Sequence, residues 1–398
     1  MCAAMTLYDV ILLCLALAAS AHFISIAMLL IRPYMQPQTL PVLRPPITIL
    51  RPACGIENYI EETLASAYAI DYPDFEIVFC VADPADPVVP VIEKLIAAHP
   101  VIPSRLLTGD DRISVNPKLN NLVKGWRAAR HEWIVMTDSN VQLAPDYLDR
   151  LLACWGPGVG LVSSPPVGSR PESNGAELEC AFLNTYQARW QLTADDIGKG
   201  YAQGKTLFWH RDDLERAGGI TALATATAED IASTRLVRAA GLNVKLVRRP
   251  FPQPLGRRTL KQVWRRQVRW AQLRRNDLPQ VFWFEPFSFS LIVLLPAAIA
   301  AACGALPLGL LALLLVAWYG AEAVLAEAFG WHFGPRTIPA WIARDLLLPA
   351  VWLSGAVNSR YEWQGHRVDV GPVTWTKSDA GVARLTTGPV VGNGSDRR

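Results

Sequence analysis

Two long stretches without a charged residue constrain what this chain can fold into. Val10 to Ile31 runs for 22 residues with no Asp, Glu, Lys or Arg, and Pro286 to Ala321 runs for 36. A helix of about 20 apolar residues crosses a bilayer. The first stretch therefore reads as one span. The second, broken by Gly304 and Pro307, predicts a hairpin of two. A third uncharged segment, Leu346 to Ser359, has only 14 residues and reads as a short span or as a re-entrant or interfacial piece. A cleaved signal peptide is the rival reading of the first stretch, because Ala18-Ala-Ser-Ala21 is a run of small residues. No Lys or Arg precedes the apolar run, as a signal peptide requires, whereas Arg32, Arg44 and Arg51 follow it. By the positive-inside rule the region that follows is expected in the cytoplasm, with the amino terminus outside.

Composition fits a soluble domain tied to a membrane. The 398 residues leave room for two domains or for one domain plus membrane segments. Hydrophobic residues make up 51% and charged residues 18%, which is greasy for a wholly soluble protein. The net charge of +3 gives no reason to expect a nucleic-acid partner. Seven cysteines lie at positions 2, 14, 54, 80, 154, 180 and 303, none in C-x-x-C spacing. They read as reduced thiols, mostly buried, in a protein facing a reducing compartment.

Beyond a proline-rich linker, Pro37 to Pro46, strands and helices alternate. Ile47 to Leu50 reads as a buried strand, Glu57 to Ala69 as a helix, and Glu76 to Ala82 as a strand ending in Asp83. Val88 to His99 is helical and Arg105 to Leu107 a short strand. Pro117 to Ala129 is a helix with Lys118, Asn120 and Asn121 in its first turn. Trp133 to Thr137 is a strand ending at Asp138, with Ser139 and Asn140 next and a helix from Asp146 to Trp155. The alternation predicts an α/β fold with a mostly parallel sheet and helices on both faces. The pattern then loosens. It resumes as a long helix from Ala176 to Gln191, a strand from Lys205 to Trp209, and a short helix from Asp212 closed by Gly218-Gly219. Glu229-Asp230 opens a further helix, and Val244 to Val247 is a strand. Leu260 to Arg275 is a basic helix whose Leu260, Val263, Trp264, Val268, Trp270 and Ala271 form an apolar stripe. Such a helix suits an anionic membrane surface, and the plainer alternative is a solvated basic helix.

Ligands of an open α/β sheet sit at the carboxyl ends of its strands. Asp83 and Asp138 each end a strand, and a carboxylate at such a place can hold a metal against a phosphate. The plainer role is a helix cap or turn residue. Order adds weight: Asp83, Asp138, Asp230 and then Arg266-Gln-Val-Arg269-Trp270 follow one another along the chain.

That series resembles the membrane glycosyltransferases of GT-A fold, and within them the ceramide glucosyltransferases. The resemblance is carried by Val81-Ala-Asp83-Pro-Ala-Asp86-Pro87, Asn116-Pro-Lys118-Leu-Asn-Asn121, Asp138-Ser-Asn140, Ala217-Gly-Gly219, Ala228-Glu-Asp230, Arg266-Gln-Val-Arg-Trp270 and Glu285-Pro286. It covers roughly residues 45 to 370. It implies a Rossmann-like GT-A domain and transfer of a sugar, glucose in the first instance, from a UDP-sugar to a membrane lipid hydroxyl such as that of ceramide. It also implies Asp230 as the catalytic base and Asp83, Lys118, Asp138, Arg266, Arg269 and Trp270 as nucleotide-sugar contacts. Asp138 and Asn140 would hold a divalent metal ion, Mg²⁺ or Mn²⁺. Glu229, next to Asp230, is expected to point elsewhere on the helix.

The implied layout is an anchor over 1–35, a GT-A catalytic domain over 36–256 and a basic interfacial helix over 257–280. Membrane helices follow over 281–360, and then a cytoplasmic or flexible tail over 361–398, patternless from Thr387. The chain would be a multi-pass membrane protein, in the inner membrane if bacterial, with its catalytic domain in the cytoplasm. Two departures stand out. Many relatives have a second carboxylate at Asn140, whose amide oxygen ligates with less charge. Many also have a histidine where this chain reads Thr185-Tyr-Gln187. Competing readings are the same chemistry on diacylglycerol or a hopanoid, a processive polysaccharide synthase, and an inactive membrane scaffold.

Overall fold

A computed structural model describes residues 7–35, 43–357, 360–363, 366–369, 375–376 and 384–385. Nine strands precede the last membrane helices: β1 (Ile47–Ala53), β2 (Phe75–Val81), β3 (Ser104–Thr108), β4 (Trp133–Thr137), β5 (Val159–Ser163), β6 (Val167–Pro171), β7 (Thr206–His210), β8 (Asn243–Leu246) and β9 (Pro252–Gly256). Seven of them form one sheet in the order β3-β2-β1-β4-β7-β5-β8. β1 pairs in parallel with both β2 and β4, so Asp83 and Asp138 leave the same edge of the sheet. β7 runs antiparallel to both β4 and β5. β6 and β9 form a separate parallel pair.

Alternation along the central strands explains their burial on both faces. Ile47, Ile49, Ile77, Phe79 and Val135 face one apolar layer, closed by the helices Ile60–Ala65, Val89–Ala98 and Tyr147–Leu152. Leu50, Val78, Cys80, Ile134 and Met136 face the other, under the helices Pro117–Ala128 and Glu229–Ala239. Asn116 caps Pro117–Ala128 by accepting from the amides of Lys118 and Leu119, which fixes where Lys118 begins its turn.

Among the described residues four helical stretches are long and apolar enough to cross a membrane: Leu12–Tyr34, Pro279–Ala302, Leu308–Phe329 and Thr337–Val357. The hairpin break falls between Ala302 and Leu308, where the two prominent breakers lie. The last helix is longer than its 14-residue apolar window. Arg344 and Asp345 interrupt the hydropathy pattern but are internal to the helix Thr337–Val357 and buried. Arg344 makes a two-pronged pair with Glu322 of Leu308–Phe329, at 2.9 and 3.0 Å, and also bonds Asp345. A charge inside a membrane region is tolerated only when paired in this way. The first helix docks on the helix Arg189–Asp196: Arg32 pairs with Asp195 at 2.7 Å and also with Asp196, and Arg189 donates to the His22 ring at 2.9 Å.

The basic helix, Leu260–Asp277, turns much of its apolar stripe towards other helices of the chain. Val263 and Ala271 are buried and Val268 and Trp270 partly so, packed against the helices Asn174–Phe182 and Thr337–Val357, while Leu260 and Trp264 are exposed. Gly355 allows the close approach, because a Cβ there would stand 2.6 Å from that of Ala271. Most of the apolar stripe is therefore spent on protein packing. The long helix after β6 also differs, being α-helical over Asn174–Phe182 and Arg189–Asp196 with a π-helical insert at Leu183–Ala188. All six described cysteines are unpaired, but only Cys80 and Cys180 are buried and Cys14, Cys54 and Cys303 are exposed. The tail shows an antiparallel pair, Arg360–Trp363 with His366–Asp369. The patternless segment from Thr387 and most of the Pro37 to Pro46 linker lie outside the described residues.

Candidate active site

The carboxyl edge of the sheet gathers charge. Asp138, immediately after β4, is paired through Oδ1 with Lys118 at 2.7 Å and through Oδ2 with Lys205 at 2.9 Å. Lys118 comes from the first turn of Pro117–Ala128 and bridges onward to Glu229 Oε1 at 2.7 Å. Lys205 arrives because β7 is antiparallel: it starts where β4 stops, and the Asp138 amide donates to the Lys205 carbonyl at 3.2 Å. Asn140 joins through its amide oxygen, which accepts from Lys205 Nζ at 2.8 Å, while its nitrogen donates to Glu57 at 2.8 Å. Burial works against the Asp138 charge, but the two ammonium groups outweigh it and hold the carboxyl well below the usual carboxylate range. Burial likewise opposes the Lys118 charge, yet Asp138 and Glu229 hold that ammonium above the ordinary lysine range. For Lys205, burial wins and lowers it.

Asp230 lies on the far side of the same cluster. Its Oδ2 accepts from the Gly204 amide at 2.9 Å and its Oδ1 from the Ile231 amide at 2.8 Å. The helix cap is Ala228, so Asp230 sits in the first turn and does not cap. Burial first, and the neighbouring Glu229 second, push its carboxyl up to about 7. Glu229 does not point elsewhere. It is buried, with Oε1 on Lys118 and Oε2 accepting from Asn116 Nδ2 at 2.6 Å. The expectation failed because Lys118 and Asn116 draw the side chain of this first helical residue into the site. Gly204 lets the walls approach: a Cβ there would stand 2.7 Å from Glu229 Oε1 and 3.2 Å from Lys118 Nζ.

Lys118, Asp138, Asn140 and Asp230 are thus brought together. Asp83 is exposed at the end of the segment after β2, its Oδ1 accepting from the Ala85 amide at 2.8 Å. Arg266 is paired with Glu179 of the helix Asn174–Phe182. Arg269 is one turn on along the same helix, and Trp270 packs against Ala176, Cys180, Leu183 and Leu255. Among the described residues one His and acidic trio, Glu132, His210 and Asp212, also clusters its ligand atoms within 4.8 Å. It lies at the amino end of β4, roughly 20 Å along the strand direction from Asp138.

The family model described as glycosyl transferase family 21 matches residues 10–375. The chain belongs to that family. Relatives of this family 21 chain include ceramide glucosyltransferase 3 of Caenorhabditis elegans, 23% identical over 330 residues that are 81% of this chain and 72% of that protein. Ceramide glucosyltransferase 1 of the same organism is 25% identical over 61% of this chain and about half, 52%, of that protein. The ceramide glucosyltransferase of Komagataella phaffii is 33% identical over 45% of this chain and 40% of that protein. In fold, the chain is similar to a mannosyltransferase of Pyrobaculum calidifontis solved with GDP-Man and Mn²⁺. The TM-score is 0.50 and the identity 20%, with 87% of this chain and 98% of that one covered. The architecture is GT-A.

Gly204, Lys205 and Arg51 of this cluster were not singled out in the sequence, and Glu229 was expected to face away from it. Gly204 and Lys205 carried no signal beyond their neighbours. Arg51 figured in the sequence only as a positive charge after the first apolar run, and the structure places it inside β1. Its buried guanidinium donates to the carbonyls of Thr63, Asp138, Ser139 and Val141 at 2.9 to 3.1 Å and so shapes the loop that carries Asp138 and Asn140. Burial pulls it down to about 10, still charged at neutral pH. A positive residue inside a buried strand is the signal that could have found it.

Proposed function

We propose that the protein is an inverting glycosyltransferase that moves glucose from UDP-glucose to the hydroxyl of a membrane lipid, ceramide first among acceptors. The observation that carries this is the partly buried cluster of Lys118, Asp138, Lys205, Glu229 and Asp230 at the sheet edge, in a family 21 chain with four helices fit for a bilayer among the described residues. Displacement at the anomeric carbon needs a base for the acceptor proton. Asp230, raised to about 7, is half ionised near neutrality and has lone pairs left beyond its two amide donors. The acceptor oxygen attacks as its proton passes to Asp230, and the bond to the diphosphate breaks on the opposite face, which inverts the centre.

The residues fit a divalent cation. Asp138 Oδ2 and Asn140 Oδ1 converge on one cationic atom, Lys205 Nζ, at 2.9 and 2.8 Å, which makes them a two-oxygen cradle for a hard ion. Mg²⁺ or Mn²⁺ bound there supplies charge neutralisation to the departing diphosphate. Lys118 supplies a fixed positive charge at the same edge, Arg266 and Arg269 reach the phosphates from the basic helix, Asp83 holds the nucleoside, and Trp270 closes the side next to the bilayer. We assign 1–35 to the anchor, 36–256 to the catalytic domain, 257–280 to the helix at the interface, 281–360 to the membrane helices and 361–398 to the tail. The catalytic domain faces the cytoplasm, on the side of Arg32, Arg44 and Arg51.

The test uses purified membranes, labelled UDP-sugars and a panel of ceramide, diacylglycerol and hopanoid, with products read by mass. A hexosyl ceramide is expected from UDP-glucose. Polymer made from donor alone would assign a polysaccharide synthase instead, and no transfer with any donor would leave a scaffold.

A further inference from the structure

We infer that Lys205 is a tethered rival of the divalent cation: its ammonium and the metal are alternative occupants of the pair formed by Asp138 and Asn140. The inference rests on the metal role proposed above for those two residues. Lys205 Nζ sits 2.9 Å from Asp138 Oδ2 and 2.8 Å from Asn140 Oδ1, the two oxygens that would ligate the ion. One carboxylate oxygen and one amide oxygen cannot face an ammonium and a divalent ion at contact distance together, because the two cations would be crowded against each other.

Lys205 is not a wandering surface lysine. Its side chain is 14% exposed, and its carbonyl accepts from the Asp138 amide at 3.2 Å and from Thr137 Oγ1 at 3.1 Å. The backbone pairing of β4 with β7 therefore delivers the ammonium to the site each time the sheet forms. Lys118 plays a different part. It takes the other oxygen of Asp138 and holds Glu229 and the Gly204 carbonyl as well, so it stays anchored whatever occupies Oδ2. The resting enzyme thus carries its own counter-ion. Metal alone must expel Lys205 from Asp138. A nucleoside diphosphate that arrives with its metal offers the displaced ammonium new anionic oxygens, which favours joint arrival of metal and donor.

The experiment measures Mn²⁺ binding to the full-length protein in detergent without nucleotide, by calorimetry and by the spin-resonance signal of free Mn²⁺. Lys205→Met should bind Mn²⁺ on the order of ten- to a hundred-fold more tightly than the wild type, the scale of one lost charge-assisted contact. Lys205→Arg, which keeps the charge, should stay weak. Asp138→Asn should abolish binding in either background. Thermal unfolding checks that each variant is folded, and Lys205→Gln replaces Lys205→Met if the latter is not. Binding by the neutral variants no tighter than wild type, with Asp138→Asn still abolishing it, overturns the rivalry alone. Mn²⁺ binding indifferent to Asp138→Asn overturns the metal role and the rivalry together.

Discussion

Asp230→Asn separates a base from a structural carboxylate, because the two roles move activity and stability in opposite directions. The wild-type carboxyl is raised from 3.8 to about 7, first by burial and then by Glu229. At about 1.4 kcal/mol per unit, holding it ionised costs the folded state on the order of 4 kcal/mol once the pH exceeds 7. The sign follows from the direction. A carboxyl raised on folding binds more protons folded than unfolded between about 4 and 7, so its penalty is absent below that window, grows through it and is complete above it. Asparagine removes the charge and keeps one oxygen for the Gly204 or Ile231 amide, at a cost of about 1 kcal/mol for the other bond. The variant should therefore be more stable than wild type at pH 8 by about 3 kcal/mol, and the gap should close towards pH 4. Transfer to lipid should fall by about a hundred-fold or more, as for loss of a general base. Thermal unfolding in detergent at pH 8 and pH 4.5, with product counted by mass, reads both. Near-normal turnover, or a loss of stability at pH 8, would refute the reasoning.

Three further outcomes are expected. Glu229→Gln removes the second cause of the Asp230 shift, so the acid limb of the rate profile should move down by about one pH unit, with turnover also reduced because Lys118 loses one of its two carboxylates. An unmoved limb would mean the profile belongs to another group. Gly204→Ala puts a methyl 2.7 Å from Glu229 Oε1 and should cut transfer by about tenfold or more while the protein remains in the membrane, as checked by fractionation and assay. Glu322→Gln leaves the buried Arg344 with Asp345 as its carboxylate and should cost about 3 kcal/mol, seen as a lower unfolding temperature in detergent.

Much of this fold is written locally. Alternating apolar residues in β1, β2 and β4 have to be buried on two faces, and that requirement alone yields the parallel core and the carboxyl edge where Asp83 and Asp138 emerge. Uncharged runs of bilayer length are equally local, and they mark the anchor and the hairpin. Signals fail where partners are remote. β9, Pro252-Gln-Pro-Leu-Gly256, has two prolines and no alternation, and it becomes a strand only against β6. The last membrane helix hides behind Arg344 and Asp345, whose charges are acceptable only because Glu322 lies opposite.

The candidate site divides along the same line. The roles expected of Asp138, Asp230 and Lys118 came from the family resemblance, while their places at a strand end or a helix start were legible because neighbours in the chain define them. Lys205, Glu229, Gly204 and Arg51 were not, because their roles depend on distance through space. The antiparallel course of β7 carries Lys205 to Asp138, and Asn116 with Lys118 turns Glu229 inward. By itself the sequence determined where the first apolar span, the apolar hairpin and the acidic strand ends lie, since hydropathy and alternation act over a few residues. Only the tertiary structure decided which cation faces which carboxylate, since that is set by strand direction and by packing between residues tens of positions apart.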